Sequence, residues 1–149
     1  MISCTPVRDQ QFRIVLNNDI AEITRLGREL AAFGASCGLS AKCVLELNLI
    51  LEEIAANVIS YAYVDDRRHE ILIQAALAQG TLVIEVEDDG RPFNPLVIPP
   101  PDFCLPLEKM PVGGRGLHLV KALTDSIVYE RTGGKNRLVM RKSIELASP

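Results

Sequence analysis

The chain has 149 residues, 48% of them hydrophobic and 23% charged, with a net charge of -3. That length can bury one core without disulfide or metal staples, and the mixed, slightly acidic charge lacks the basic face that a nucleic-acid partner requires. No apolar run reaches the roughly 18 to 20 residues that cross a bilayer, and the opening MISCTPVRDQQ lacks the apolar centre of a signal peptide, so no membrane association is expected.

Gln11 to Leu16 alternates as a first strand, and Asn17, Asn18 and Asp19 supply turn and N-cap chemistry. A helix is expected next, with Ile20, Ile23, Leu26, Leu30 and Phe33 as one apolar stripe ending near Gly34 and with Gly38, Leu39 and Ser40 as its punctuation. Ser40 can cap a second helix, whose apolar body runs from Leu45 to Tyr63. In it Leu47, Leu51, Ile54 and Val58 form one stripe, and Glu46, Ile50, Glu53, Asn57 and Tyr61 form another. After the charged turn Asp65 to Arg68, in which His69 is expected to be solvent-exposed, Glu70 to Leu77 and Thr81 to Glu87 read as a hairpin. Arg91 to Val112 holds seven prolines and little periodicity, the pattern of a long functional loop. Gly113 opens a third helix, and Ser126 to Arg131 and Asn136 to Ile144 close the chain as strands around Gly133 and Gly134. The order predicts one α+β domain over 1–149: a two-layer sandwich with a mostly antiparallel mixed sheet covered on one face by three helices. Cys4, Cys37, Cys43 and Cys104 form no C-x-x-C pair, so free thiols in a reducing cytoplasm are expected.

Three short features carry chemistry. Gly113, Gly114 and Gly116 at a helix start let backbone N–H groups converge on an anion, phosphate above all, although a tight turn uses the same residues. The run lacks both the P-loop ending and the Rossmann spacing. Glu53 and Asn57, one helical turn apart, can offer a base and a hard oxygen ligand, and a plain surface pair is the bland alternative. Asp88 at a strand end can accept from an exocyclic amine with Gly90 giving close backbone approach, or simply terminate the strand.

In that order, Glu53-x-x-x-Asn57, Asp88-x-Gly90 and Gly113-Gly114-Arg115-Gly116-Leu117 resemble the N, G1 and G2 boxes of the histidine-kinase-like ATPase superfamily. The wording EEIAANVISYAY, DDGRPFNP and GGRGLHLVKALTD looks like the anti-sigma-factor serine/threonine kinase branch. The resemblance implies Glu53 as general base, Asn57 as the Mg²⁺ ligand, and Asp88 as the adenine-selecting carboxylate with Gly90 beside the base. It implies an ATP lid over about 91–112, with Gly113, Gly114, Arg115, Gly116 and Leu117 at the phosphates and His118 close by. It further implies a homodimer that binds a sigma factor and phosphorylates a Ser or Thr of an anti-sigma antagonist. The alternative is a nucleotide-dependent binding module that sequesters a regulator without phosphorylating it. Pro92, Arg115, Tyr61 and Asn136 depart from the residues common in the branch at those places.

Overall fold

The computed structural model describes residues 10–94, 96 and 114–144. The elements are β1 (Gln11–Asn17), α1 (Glu22–Cys37), α2 (Ala41–Tyr61), β2 (Glu70–Ala78), β3 (Thr81–Asp88), α3 (Gly114–Leu123), β4 (Ser126–Thr132) and β5 (Lys135–Ser143). The five strands lie in the order β1-β2-β3-β5-β4, and each of the four pairings is antiparallel. The expected α+β sandwich is thus present.

Strict alternation decides which face is covered. Phe12, Ile14 and Leu16 of β1, Ile71, Ile73 and Ala75 of β2, Leu82, Ile84 and Val86 of β3, and Leu138 and Met140 of β5 are all buried. Against them pack Leu26, Leu30 and Phe33 of α1, Leu47, Ile50, Leu51 and Ile54 of α2, and Leu117 and Val120 of α3. Burying one such side chain is worth about 1.5–3 kcal/mol, so this single core carries the fold.

Both ends of α2 follow from local chemistry. The Ser40 hydroxyl accepts from the Cys43 N–H at 3.1 Å, so the helix starts four residues before the apolar body at Leu45. Its other end is fixed where the Ala62 carbonyl accepts from the Arg91 N–H at 2.8 Å.

α1 departs from expectation at its start. Ile20 precedes the helix and is 60% exposed, because the Asp19 side chain and carbonyl bond the N–H groups of Ala21 and Glu22 in a separate turn. The C-terminal stop is Gly38, with φ of 69°, where the punctuation was expected. Gly34 instead lets the two helices touch, since a Cβ there would stand 2.5 Å from Cγ2 of Val44.

The two hairpins turn on Gln79-Gly80 and Gly133-Gly134, all four residues with positive φ, as two-residue turns between twisted strands require. β1 is an edge strand whose outer side is partly closed by α1: Arg25 donates to the Val15 carbonyl at 2.6 Å, and Glu22 accepts from the Asn17 N–H at 3.4 Å. No helix among the described residues is long and apolar enough to cross a membrane.

Candidate nucleotide site

The C-terminal third of α2 lies over the ends of β3 and β5 and leaves a cleft between the two layers. Its wall is mainly apolar, from Ile54, Val58, Ala62, Val86, Phe93 and Leu138, and its polar groups are Asn57, Asp88, Tyr129 and Asn136. The cleft is narrow, with a volume of about 40 Å³, below the usual range for preformed small-molecule sites.

Asp88 is 6% exposed. Its Oδ1 accepts from the Gly90 N–H at 2.9 Å and from Nδ2 of Asn136 at 3.0 Å, while Oδ2 bonds nothing among the described residues. Burial pushes its carboxyl above the ordinary range, Asn136 and Gly90 pull it down, the nearby Asp89 charge raises it, and Arg131 lowers it. An open acceptor on a largely buried carboxylate, beside an apolar slot, is a group that a ligand donor satisfies.

Asn57 reaches the same cleft from α2, half-buried and without a hydrogen bond among the described residues. Glu53 stands one turn earlier on α2, half-buried and unpaired in the same sense, outside the residues that line the cleft. Among the described residues no cluster of three or more His, Cys, Asp or Glu could hold a metal. A magnesium ion here would therefore take few protein oxygens, with Asn57 the one polar α2 side chain in the cleft, and the rest from phosphate and water.

A profile described as "Histidine kinase-like ATPase domain" matches residues 16–142. The chain belongs to the histidine kinase-like ATPase domain family. It is 27% identical over 111 residues to "Serine-protein kinase RsbW" of Listeria monocytogenes, covering 71% of each chain. It is 24% identical over 101 residues to "Serine/threonine-protein kinase BtrW" of Bordetella bronchiseptica, covering 68% of this chain and 71% of that one. Among solved structures, the RsbU and RsbW domains of Rv1364c from Mycobacterium tuberculosis share the fold with a TM-score of 0.67 at 18% identity, over 92% of this chain and 33% of that one.

Within this histidine kinase-like ATPase domain, the structure brings Asn57, Asp88 and Gly90 to one place and sets Glu53 a turn away. Gly113 and, of the expected lid, Pro95 and residues 97–112 lie outside the described residues. Gly114, Arg115 and Gly116 form the first turn of α3, Leu117 is buried in the core, and His118 is exposed. Of the four cysteines, Cys37 and Cys43 are free and buried, and Cys4 and Cys104 lie outside the described residues.

His69 corrects the expectation of a solvent-exposed residue. Its side chain is 16% exposed, stacked on Tyr63 with ring centroids 4.1 Å apart. Its Nε2 lies 2.6 Å from Asp65 and its Nδ1 3.1 Å from Asp89, an aspartate twenty residues away that the turn composition does not reveal. Burial, with Asp88 and Asp89 nearby, raises the Tyr63 phenol, whose oxygen is buried without a hydrogen bond among the described residues.

Tyr129 and Lys142 belong to no motif, and Asn136 stands out in the sequence only as a departure from the residue common in the branch. Asn136, Tyr129 and Lys142 sit on the covered face of β5 and β4, and the alternation around Leu138 and Met140 is the signal that places the first and last. Lys142 is buried, and its Nζ donates to Glu46 of α2 at 2.6 Å and to the Leu123 carbonyl that ends α3 at 2.9 Å.

Proposed function

We propose that the chain binds Mg-ATP in this cleft, binds a sigma factor, and phosphorylates a Ser or Thr of an anti-sigma antagonist, as a cytoplasmic homodimer. The observation that carries the reading is Asp88, with one carboxylate oxygen held by the protein and the other open to an apolar slot that Asn57 shares. Family membership and the names of the relatives agree with it.

In this reading Oδ2 of Asp88 accepts from the exocyclic amine of adenine, and Ile54, Val58, Val86 and Leu138 cover the ring. Asn57 offers its carbonyl oxygen to magnesium, which when bound neutralises phosphate charge. The α3 start, Gly114 to Leu117, directs free backbone N–H groups at phosphate oxygens. Glu53 takes the proton of the attacking hydroxyl, whose oxygen forms the new bond to phosphorus as ADP leaves.

Incubation with γ-labelled ATP and candidate antagonists tests the reading. Transfer is expected, and Glu53→Gln should abolish it while nucleotide affinity stays within about 3-fold, since a base acts on the reacting proton and not on the bound base. ATP binding with no transfer at any magnesium concentration would leave a sequestering module instead.

A further inference from the structure

Five polar groups surround the side-chain amide of Asn136. Asp88 and Asn136 are direct partners in the β3–β5 register, both on the covered face and both 6% exposed. The orientation of the Asn136 amide is forced by what surrounds it. Its Nδ2 faces two obligatory acceptors, Oδ1 of Asp88 at 3.0 Å and the Arg91 carbonyl at 2.8 Å. Its Oδ1 faces two obligatory donors, the Phe93 N–H at 3.3 Å and Nη1 of Arg131 at 3.0 Å, so the Tyr129 hydroxyl at 2.6 Å must donate as well.

The same group fixes the backbone that leaves β3. The Gly90 N–H goes to Asp88, the Arg91 N–H to Ala62, and the Phe93 N–H to Asn136, while Pro92 has no N–H. The carbonyls of Gly90 and Arg91 accept from Arg131 and Asn136. Every backbone donor from 90 to 93 is thereby assigned, and the Phe93 side chain is carried to the cleft wall.

We infer that Asn136 is a positioning residue that locks the base-reading carboxylate to the 90–93 segment, so that reading a 6-aminopurine and seating Phe93 against it form one cooperative event. The inference rests on the proposed ATP reading. Because Asn136 and Gly90 fill Oδ1 of Asp88, only Oδ2 is left for the ligand, and it presents an acceptor alone. A 6-oxopurine would set its own acceptor against it. Loss of the amide frees the Asp88 rotamer and unseats Phe93 together.

The test uses the whole chain, with calorimetric titration of ATP and ITP and hydrogen exchange read at the Phe93 amide. Wild type should prefer ATP and show Phe93 exchange slowed by ATP. Asn136→Ala should lose ATP affinity by about 10-fold or more, bring the ATP/ITP ratio toward one, and leave Phe93 exchange fast with or without ATP. Asn136→Asp, which keeps the acceptor side but repels Asp88, should bind ATP better at pH 5.5–6 than at 8, on the order of a few-fold, a rescue that general unfolding does not give. If Asn136→Ala does not fold, Tyr129→Phe removes one support of the amide and should lower the ATP/ITP ratio about 2- to 5-fold with Phe93 exchange faster. Variants that keep both the ratio and the Phe93 protection overturn the inference while leaving the ATP reading intact. A wild type that binds no adenine nucleotide overturns both.

Discussion

Gly90 lies so close to Ala62 that a Cβ built on it would stand 2.5 Å from Cβ of Ala62 and 2.6 Å from its carbonyl oxygen. That carbonyl accepts the Arg91 N–H, so the last residue of the α2 helix cap and the first residues after β3 are one rigid joint. Gly90→Ala must push this backbone apart, since neither atom belongs to a flexible side chain. We expect a loss of about 1–3 kcal/mol in urea unfolding, and a drop in ATP affinity larger than that of Gly80→Ala, where an added Cβ meets nothing.

The Lys142–Glu46 pair joins β5, α2 and the end of α3 beneath the surface, with side chains 8% and 21% exposed. Removing one partner strands the other. Glu46→Ala should cost about 3 kcal/mol, because the ammonium keeps only the Leu123 carbonyl. The double replacement Glu46→Leu with Lys142→Met should cost less than the single one, since no buried charge remains unpaired. Denaturant midpoints of wild type, the single and the double variant decide this; a double variant that loses more than the single one would show that the lone buried ammonium carries no penalty.

These cases show what the chain's pattern discloses and what it hides. The α2 stripe and its Ser40 cap are local, and so are the strand alternations and the Asn57 and Asp88 spacing, so each was legible from neighbours a few residues away. Glu46 was grouped with Glu53 and Asn57 on one helical stripe, yet its partner lies 96 residues on, and only the sheet register brings Lys142 beneath it. Ile20 continues a three- and four-residue spacing without being helical, because an Asp19 turn outcompetes the stripe. His69 looked like one more polar residue of a charged turn until Asp89 arrived from the end of β3.

His69 also makes a pH-sensitive link. The hydrogen bond that the imidazole donates to Asp65 raises it above the ordinary 6.5, the partial burial opposes this, and the bond it donates to Asp89 raises it further. Asp65 is lowered in turn, first by His69 and then by the Arg67 N–H. A raised histidine stabilises the folded state fully below 6.5 and loses that contribution as pH rises through its folded value. The chain has two histidines, so NMR titration resolves them readily. The His69 midpoint should lie above 6.5 and fall in Asp65→Asn; a midpoint at or below 6.5 would mean the two aspartates do not hold the imidazolium.

Asp88 has the same sign in a lower pH window. Burial raises its carboxyl above the ordinary 3.8, so the folded chain holds this proton more tightly than the unfolded one. Its contribution to stability is therefore greatest below 3.8 and is lost as pH rises through the raised folded value, leaving a neutral-pH penalty. A ligand amine donating to Oδ2 favours the ionised form and reverses the balance, so ATP affinity should fall as pH drops into that same window. Asp88→Asn can keep the bonds from Gly90 and Asn136 on its oxygen while presenting an NH₂ donor to the cleft. Relative to wild type, Asp88→Asn should be more stable at pH 7, lose the Asp88 part of the stability slope just above pH 3.8, bind ATP about 100-fold more weakly, and gain preference for ITP. Unfolding curves across pH check the first pair and nucleotide titrations the second. Unchanged ATP affinity in Asp88→Asn would remove Asp88 from base recognition.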